Sequence, residues 1–253
     1  MLIAPAADRP PVHILERPAP EPHATLSYAD RPTGVVDVFE PARAPRATIV
    51  LLHGGFWRAA YDRVHLRALA AGLAERGARV ALPEYRRVGD AGGGFPGTVE
   101  DAQRILVAVP AMLGVSPDAV VFAGHSAGGH LAVLAAATAD VPPARVVSLA
   151  GVLDMRAAHR ARLSGDAVAE LAGSSDPGRL AELDPMALPV PGCEVVLVHG
   201  ARDAEVPSAY SVAYAARAAR IRLTILDRAD HYDLIDPLSP AFDAVWAALT
   251  PRG

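Results

Sequence analysis

The stretch VVFAGHSAGGHLAVLAAATA, residues 120–139, begins as a β-branched and aromatic run, breaks on glycines, and resumes as an Ala- and Leu-rich helical pattern. It reads as a strand, a sharp turn and a helix. Gly124-His125-Ser126-Ala127-Gly128 is a G-x-S-x-G pattern in the context that pattern requires. The turn holds the serine in a strained backbone conformation, and glycines two residues to either side avoid a collision of side chains. With 21 Gly in 253 residues, chance predicts only about 0.07 such matches before the strand and helix are demanded. The plainer alternative is a serine that caps a helix. Ser126 is the candidate nucleophile.

Outward from this stretch the same alternation recurs. Short apolar β-branched runs stand at 48–53, 79–83, 119–124, 145–150, 194–199 and 221–226, with helical patterns at 63–76, 98–113, 127–139, 207–219 and 239–249. Continuous apolar strands alternating with helices predict an α/β fold, a mostly parallel twisted sheet covered on both faces. Residues 24–40 read as an antiparallel hairpin around Pro-Thr-Gly. Residues 1–23, rich in Pro and Ala, read as an irregular N-terminal arm. The single domain is expected over 24–253, with 152–190, polar and Arg-rich, as a small cap insertion after the fourth parallel strand.

Composition limits the function. The chain is 51% hydrophobic and 21% charged, enough to bury a full core. A net charge of −4 without a basic block argues against nucleic acid. All 24 basic residues are Arg, a composition bias that carries no functional reading. The single Cys193 precludes an internal disulfide. The first residues lack the basic and apolar regions of a signal peptide, and no apolar run reaches 18 residues, so a soluble cytoplasmic protein is the expectation. The histidines lack metal-ligand spacing, and no dinucleotide or phosphate loop is present. No cofactor, metal or membrane partner is called for; oligomeric state stays open.

A serine hydroxyl needs a base, and the base needs a group that orients it. Of nine histidines, His231 in DRADHYDLID follows the last strand, at the sheet edge where catalytic loops meet. His53, His125 and His199 sit at strand ends, where local hydrogen bonding explains them. Asp203 in VLVHGARDAEVP lies just past the strand at 194–199, with Glu205, Asp227 and Asp230 as rivals. The order Ser126, Asp203, His231 fits strands five, seven and eight. Acyl transfer builds charge on an oxygen, which backbone N–H groups stabilise by about 3–4 kcal/mol each. The amide of Ala127 is one candidate donor; those of Gly55 and Phe56 in HGGFW (53–57) supply the other. Gly54 lets the main chain pass the substrate, and Trp57 is expected to wall the acyl pocket with Phe56.

Taken together, GHSAGGH, HGGFW, ARDAEVP and DHYDLID resemble an α/β-hydrolase over roughly 45–250. Within that superfamily HGGFW and HYDLI are similar to the corresponding segments of kynurenine formamidases (arylformamidases), and PEYRR with FPGTVEDAQ resembles related esterases and prolyl-oligopeptidase-like hydrolases. The resemblance implies Ser126 as nucleophile, His231 as base, Asp203 as orienter, and an oxyanion hole near Gly55, Phe56 and Ala127. The formamidases usually carry Tyr where this chain has Phe56. The implied activity is cofactor-free serine hydrolysis of small carboxylic esters or aryl formamides. The alternatives are a prolyl-oligopeptidase-like peptidase and a non-catalytic binding protein of the same fold.

Two further residues invite a substrate role. Arg86 could meet a substrate carboxylate, or form an ion pair with Glu84 or Asp101. Tyr232 could line the pocket, or pack as a loop aromatic. GDAGGGFPG (89–97) reads as a flexible lip of the site.

Overall fold

The computed structural model describes residues 13–250; residues 1–12 of the expected arm and 251–253 lie outside the described residues. Eight strands form one sheet in the order β1-β2-β4-β3-β5-β6-β7-β8. They are β1 (Ala24–Ser27), β2 (Val35–Phe39), β3 (Ala47–Leu52), β4 (Ala78–Pro83), β5 (Val121–His125), β6 (Arg145–Leu149), β7 (Glu194–Gly200) and β8 (Ile221–Leu226). β1 pairs antiparallel with β2, and β2 with β4. Every other pairing is parallel.

The continuous apolar runs follow from this placement. Successive residues of a strand point to opposite faces. In β3, Val50 and Leu52 enter one core, while Ile49 and Leu51 enter the other. The first core is covered by α2 (Gly97–Met112) and α3 (Ala127–Ala137); the second by α1 (Arg67–Glu75) and α8 (Phe242–Leu249). α7 (Ala209–Ala215) packs against β7 and β8. α3 is buried from Ala127 to Ala136, which explains why its sequence lacks a polar stripe. Each fully buried Val, Leu or Ile contributes about 1.5–3 kcal/mol, so these two layers dominate the fold's stability.

Residues 152–190 hold three short helices, α4 (Met155–Arg160), α5 (Leu163–Ala172) and α6 (Pro177–Leu183). They bury Val168, Leu171, Leu180 and Leu183 in the first core. Parallel pairing places the carboxyl ends of β3, β5, β7 and β8 along one edge, so the loops after them meet there. Among the described residues no helix is long and apolar enough to cross a membrane.

Candidate active site

Ser126 stands between β5 and α3 with φ 55° and ψ −121°, a conformation few non-glycine residues adopt. The flanking glycines have a direct steric reason. A Cβ on Gly124 would stand 2.1 Å from the carbonyl oxygen of Gly128, and one on Gly128 would stand 2.2 Å from that of Leu52. The turn is held by the Ser126 N–H, which donates to Leu149 O at 2.8 Å, and by the His130 N–H, which donates to Ser126 O at 3.1 Å.

The loops after β7 and β8 bring together the acid and the histidine. His231 Nδ1–H donates to Asp203 Oδ2 at 2.7 Å. Asp203 Oδ1 accepts the backbone N–H groups of Glu205 at 2.9 Å and Val206 at 2.8 Å. His199 Nε2 lies 3.2 Å from Asp203 Oδ2 and 2.9 Å from Val206 O, and its Nδ1 accepts from the Ser211 hydroxyl at 2.8 Å. Two acceptors at Nε2 fix the proton there. Burial alone would raise the Asp203 carboxyl, but hydrogen bonds from His199, His231 and Val206 hold it well below the usual carboxylate range. The rivals differ: Asp230 accepts the N–H groups of Tyr232 and Asp233, and Glu205 stays exposed at the pocket.

His125 is buried beside the serine; its Nε2–H donates to His231 O at 3.0 Å, and its ring lies 4.4 Å from that of His231. Burial first, then the His231 ring, pushes its pKa well below the ordinary histidine value. It stays neutral and ties the β5 end to the loop that carries the base.

The loop after β3 is clamped from behind. His53 bonds Glu84 Oε1 at 2.7 Å and Gly54 O at 2.8 Å, while the Tyr85 hydroxyl donates to His53 O at 2.8 Å. Burial would raise Glu84, but the His53 ring, Arg87 and the Arg63 N–H bring it down to about 2. Beyond the clamp, Gly55, Phe56 and Trp57 all take positive φ, at 105°, 50° and 58°. Among the described residues the backbone N–H groups of Gly55, Phe56 and Ala127 meet no acceptor. Strained backbone with free donors beside a strained serine is the arrangement expected of a functional site.

Ser126, His231, Gly55, Phe56 and Tyr232 border one cavity of about 90 Å³. Several expectations are revised by the structure. Trp57 is fully buried, its ring edge-on to His130 at 5.1 Å, so it packs the core instead of walling the cavity. Phe56 borders the cavity and also packs against the first core, which holds Trp57. Arg86 takes the ion-pair alternative, held by Asp101 at 2.7 Å and by Glu100, so its cation is not offered to a substrate. Gly54 is a spacer, since a Cβ there would stand 3.0 Å from that of Ser126. The loop 89–97 is not a lip either: Phe95 N–H donates to Leu171 O, against α5. No residue of 152–190 borders the cavity.

Sequence reading missed Leu15, Tyr61 and His65, which do border it. It also gave His199 only a local role, although its position four residues before Asp203 at a strand end was a usable signal. Among the described residues no group of three or more His, Cys, Asp or Glu could hold a metal ion.

The BD-FAE family model matches residues 36–217, well over half of the chain. The chain belongs to the BD-FAE family. The BD-FAE match spans the serine turn, the 53–57 loop and Asp203, but ends before His231 and begins after the N-terminal turn. Solved structures share the fold at low identity. Esterase B from Lactobacillus rhamnosis, inhibited with a C4-C4 SN3 tributyrin phosphonate, has a TM-score of 0.72 at 20% identity over 90% of this chain and 84% of that one. A truncated carbohydrate esterase from gut microbiota has a TM-score of 0.69 at 19% identity over 90% of this chain and 94% of that one. A butyrate-bound thermophilic esterase from the Planctomycetes species Thermogutta terrifontis has a TM-score of 0.66 at 19% identity over 91% and 96%. No curated protein matches the chain. This BD-FAE chain therefore has the α/β-hydrolase fold.

Proposed function

We propose that the chain is a serine esterase acting on small carboxylic esters or aryl formamides through an acyl-enzyme on Ser126. The observation that carries the reading is that His231, bonded to Asp203, shares one cavity with a serine held in a strained turn. Because His231 Nδ1–H is given to Asp203, its Nε2 is the ring atom left to act as base. It takes the Ser126 proton as Oγ attacks the substrate carbonyl. The oxyanion so formed is received by the free N–H of Ala127 and by that of Gly55 or Phe56. Collapse breaks the bond to the alcohol or amine, which leaves with the proton from His231, and water then attacks the acyl-enzyme by the same route. Several structural neighbours are esterases, which agrees with this chemistry. A cavity of about 90 Å³ favours short acyl groups.

A substrate panel tests it: p-nitrophenyl esters of rising chain length, N-formylkynurenine and a Pro-containing peptide amide. Turnover highest between formyl and butyryl groups supports the reading. A preference for decanoyl esters, or faster cleavage of the peptide than of any ester, contradicts it.

A further inference from the structure

The N-terminal turn does not trail away from the domain. Ile14 is buried in the second core, His13 meets the Tyr232 ring edge-on at 4.8 Å, and Arg17 grips Asp236 through two hydrogen bonds of 2.6 and 2.8 Å. Tyr232 and Asp236 belong to the His231 loop, so the turn is registered against the loop that carries the base. Two large apolar side chains near it lack cover: Leu15 is 44% exposed and Tyr61 48%.

Leu15, Tyr61 and His65 border the serine cavity and also a second cavity of about 400 Å³. The second one continues under the turn to Arg17, Ala59 and Asp62. The volumes differ in kind. The chamber of about 90 Å³ beside Ser126 is smaller than a cavity of about 150 Å³ that binds benzene, so it favours a small acyl group over an aromatic one. The outer one falls within the roughly 300–1,000 Å³ typical of small-molecule sites.

Resting on the Ser126 reading above, we propose that the turn at 13–17 is a wall of a leaving-group chamber, and that the enzyme takes small-acyl esters or amides of a bulky alcohol or amine. The acyl part stays on Ser126 in the inner chamber. The alcohol or amine, protonated by His231, departs through the outer one between Leu15 and Tyr61. Arg17 is already neutralised by Asp236, and Asp62 adds negative charge at the rim, so the bulky part is neutral or cationic.

Phenyl and 2-naphthyl acetate, esters of phenols of similar acidity, test the outer chamber; phenyl acetate, butyrate and benzoate test the inner one. Both acetates pass through the same acetyl-enzyme, so a leaving-group contact changes acylation and not the breakdown of that intermediate. Leu15→Ala is expected to lower kcat/KM for naphthyl acetate about tenfold, the effect of losing one apolar contact. Phenyl acetate should change far less, and acetyl-enzyme breakdown not at all. Arg17→Ala, which frees the turn, should act in the same direction. Wild-type protein should disfavour the benzoate. An unchanged naphthyl preference, or a benzoate gained through Leu15→Ala, overturns the chamber assignment. Loss of all ester turnover together with no phosphonate adduct on wild-type Ser126 would instead overturn the serine reading beneath it.

Discussion

Asp203 and Leu15 border the same chemistry and are held in opposite ways. The Asp203 carboxylate is contacted by two imidazoles and two backbone N–H groups, and its side chain is 1% exposed. Leu15 is an exposed apolar side chain on a single helical turn. The groups proposed to react lie just beyond strand ends, where buried hydrogen bonds leave them one geometry. The groups proposed to meet substrate sit on short turns, where an apolar side chain can change size with little effect on the fold. Chemistry and selectivity are therefore stabilised separately. Substitutions in the first region should abolish turnover; those in the second should redirect it.

The first region breaks hardest at the serine. Ser126→Ala is expected to lower kcat about 10⁶-fold, and His231→Ala about as much, with the double variant little worse because the groups act as a unit. Steady-state hydrolysis of phenyl acetate checks this. Asp203→Asn should cost about 10⁴-fold, since the amide no longer favours the Nδ1–H tautomer of His231. If Glu205→Gln or Asp230→Asn were the crippling change, the acid would be misassigned.

Trp57 sharpens the contrast, because it neighbours Phe56 in sequence yet belongs to the core. Trp57→Ala should destabilise the fold by about 3–5 kcal/mol, read as a fall in the denaturant midpoint. The acyl-length preference should not move. A shifted preference with unchanged stability would return Trp57 to the pocket.

A smaller effect concerns pH. His130 is fully buried, bonds Leu183 O at 2.7 Å, and burial pushes its pKa from 6.5 to about 4. Below pH 6.5 the unfolded chain binds a proton that the folded chain refuses. Stability is thus complete above 6.5 and declines as the pH falls toward 4, by about 3 kcal/mol from this residue. Thermal melts across that range should show the decline, and His130→Gln should remove this residue's share of it, leaving the part due to buried His65 and His125. The smallest expected change is Glu205→Gln, about twofold or less in kcat/KM, as for an exposed side chain outside the network.

The fold was legible because its signal is local. Six parallel strands read as apolar runs since both faces of the sheet are covered, and the Gly124–Gly128 spacing records a contact of backbone with backbone. Asp203 and His231 were legible by their place after strands. What failed depended on direction or distance. HGGFW does not tell that the chain takes positive φ at both 56 and 57, or that Trp57 is fully buried while Phe56 stays at the cavity. Arg86 looks the same in sequence whether it meets a substrate or Asp101. Leu15 carries no motif, and its role arises only when the Arg17–Asp236 pair folds the turn back across the domain. Residues 152–190 read as a cover, yet the N-terminal turn is the segment at the cavity.

The central claim is that the strained serine is the nucleophile. The most direct measurement exposes folded protein to a fluorophosphonate and maps the adduct by peptide mass spectrometry. A single adduct on Ser126, absent from Ser126→Ala and strongly slowed in His231→Ala, is the predicted result. No adduct on correctly folded protein, or an adduct on another residue, would contradict it.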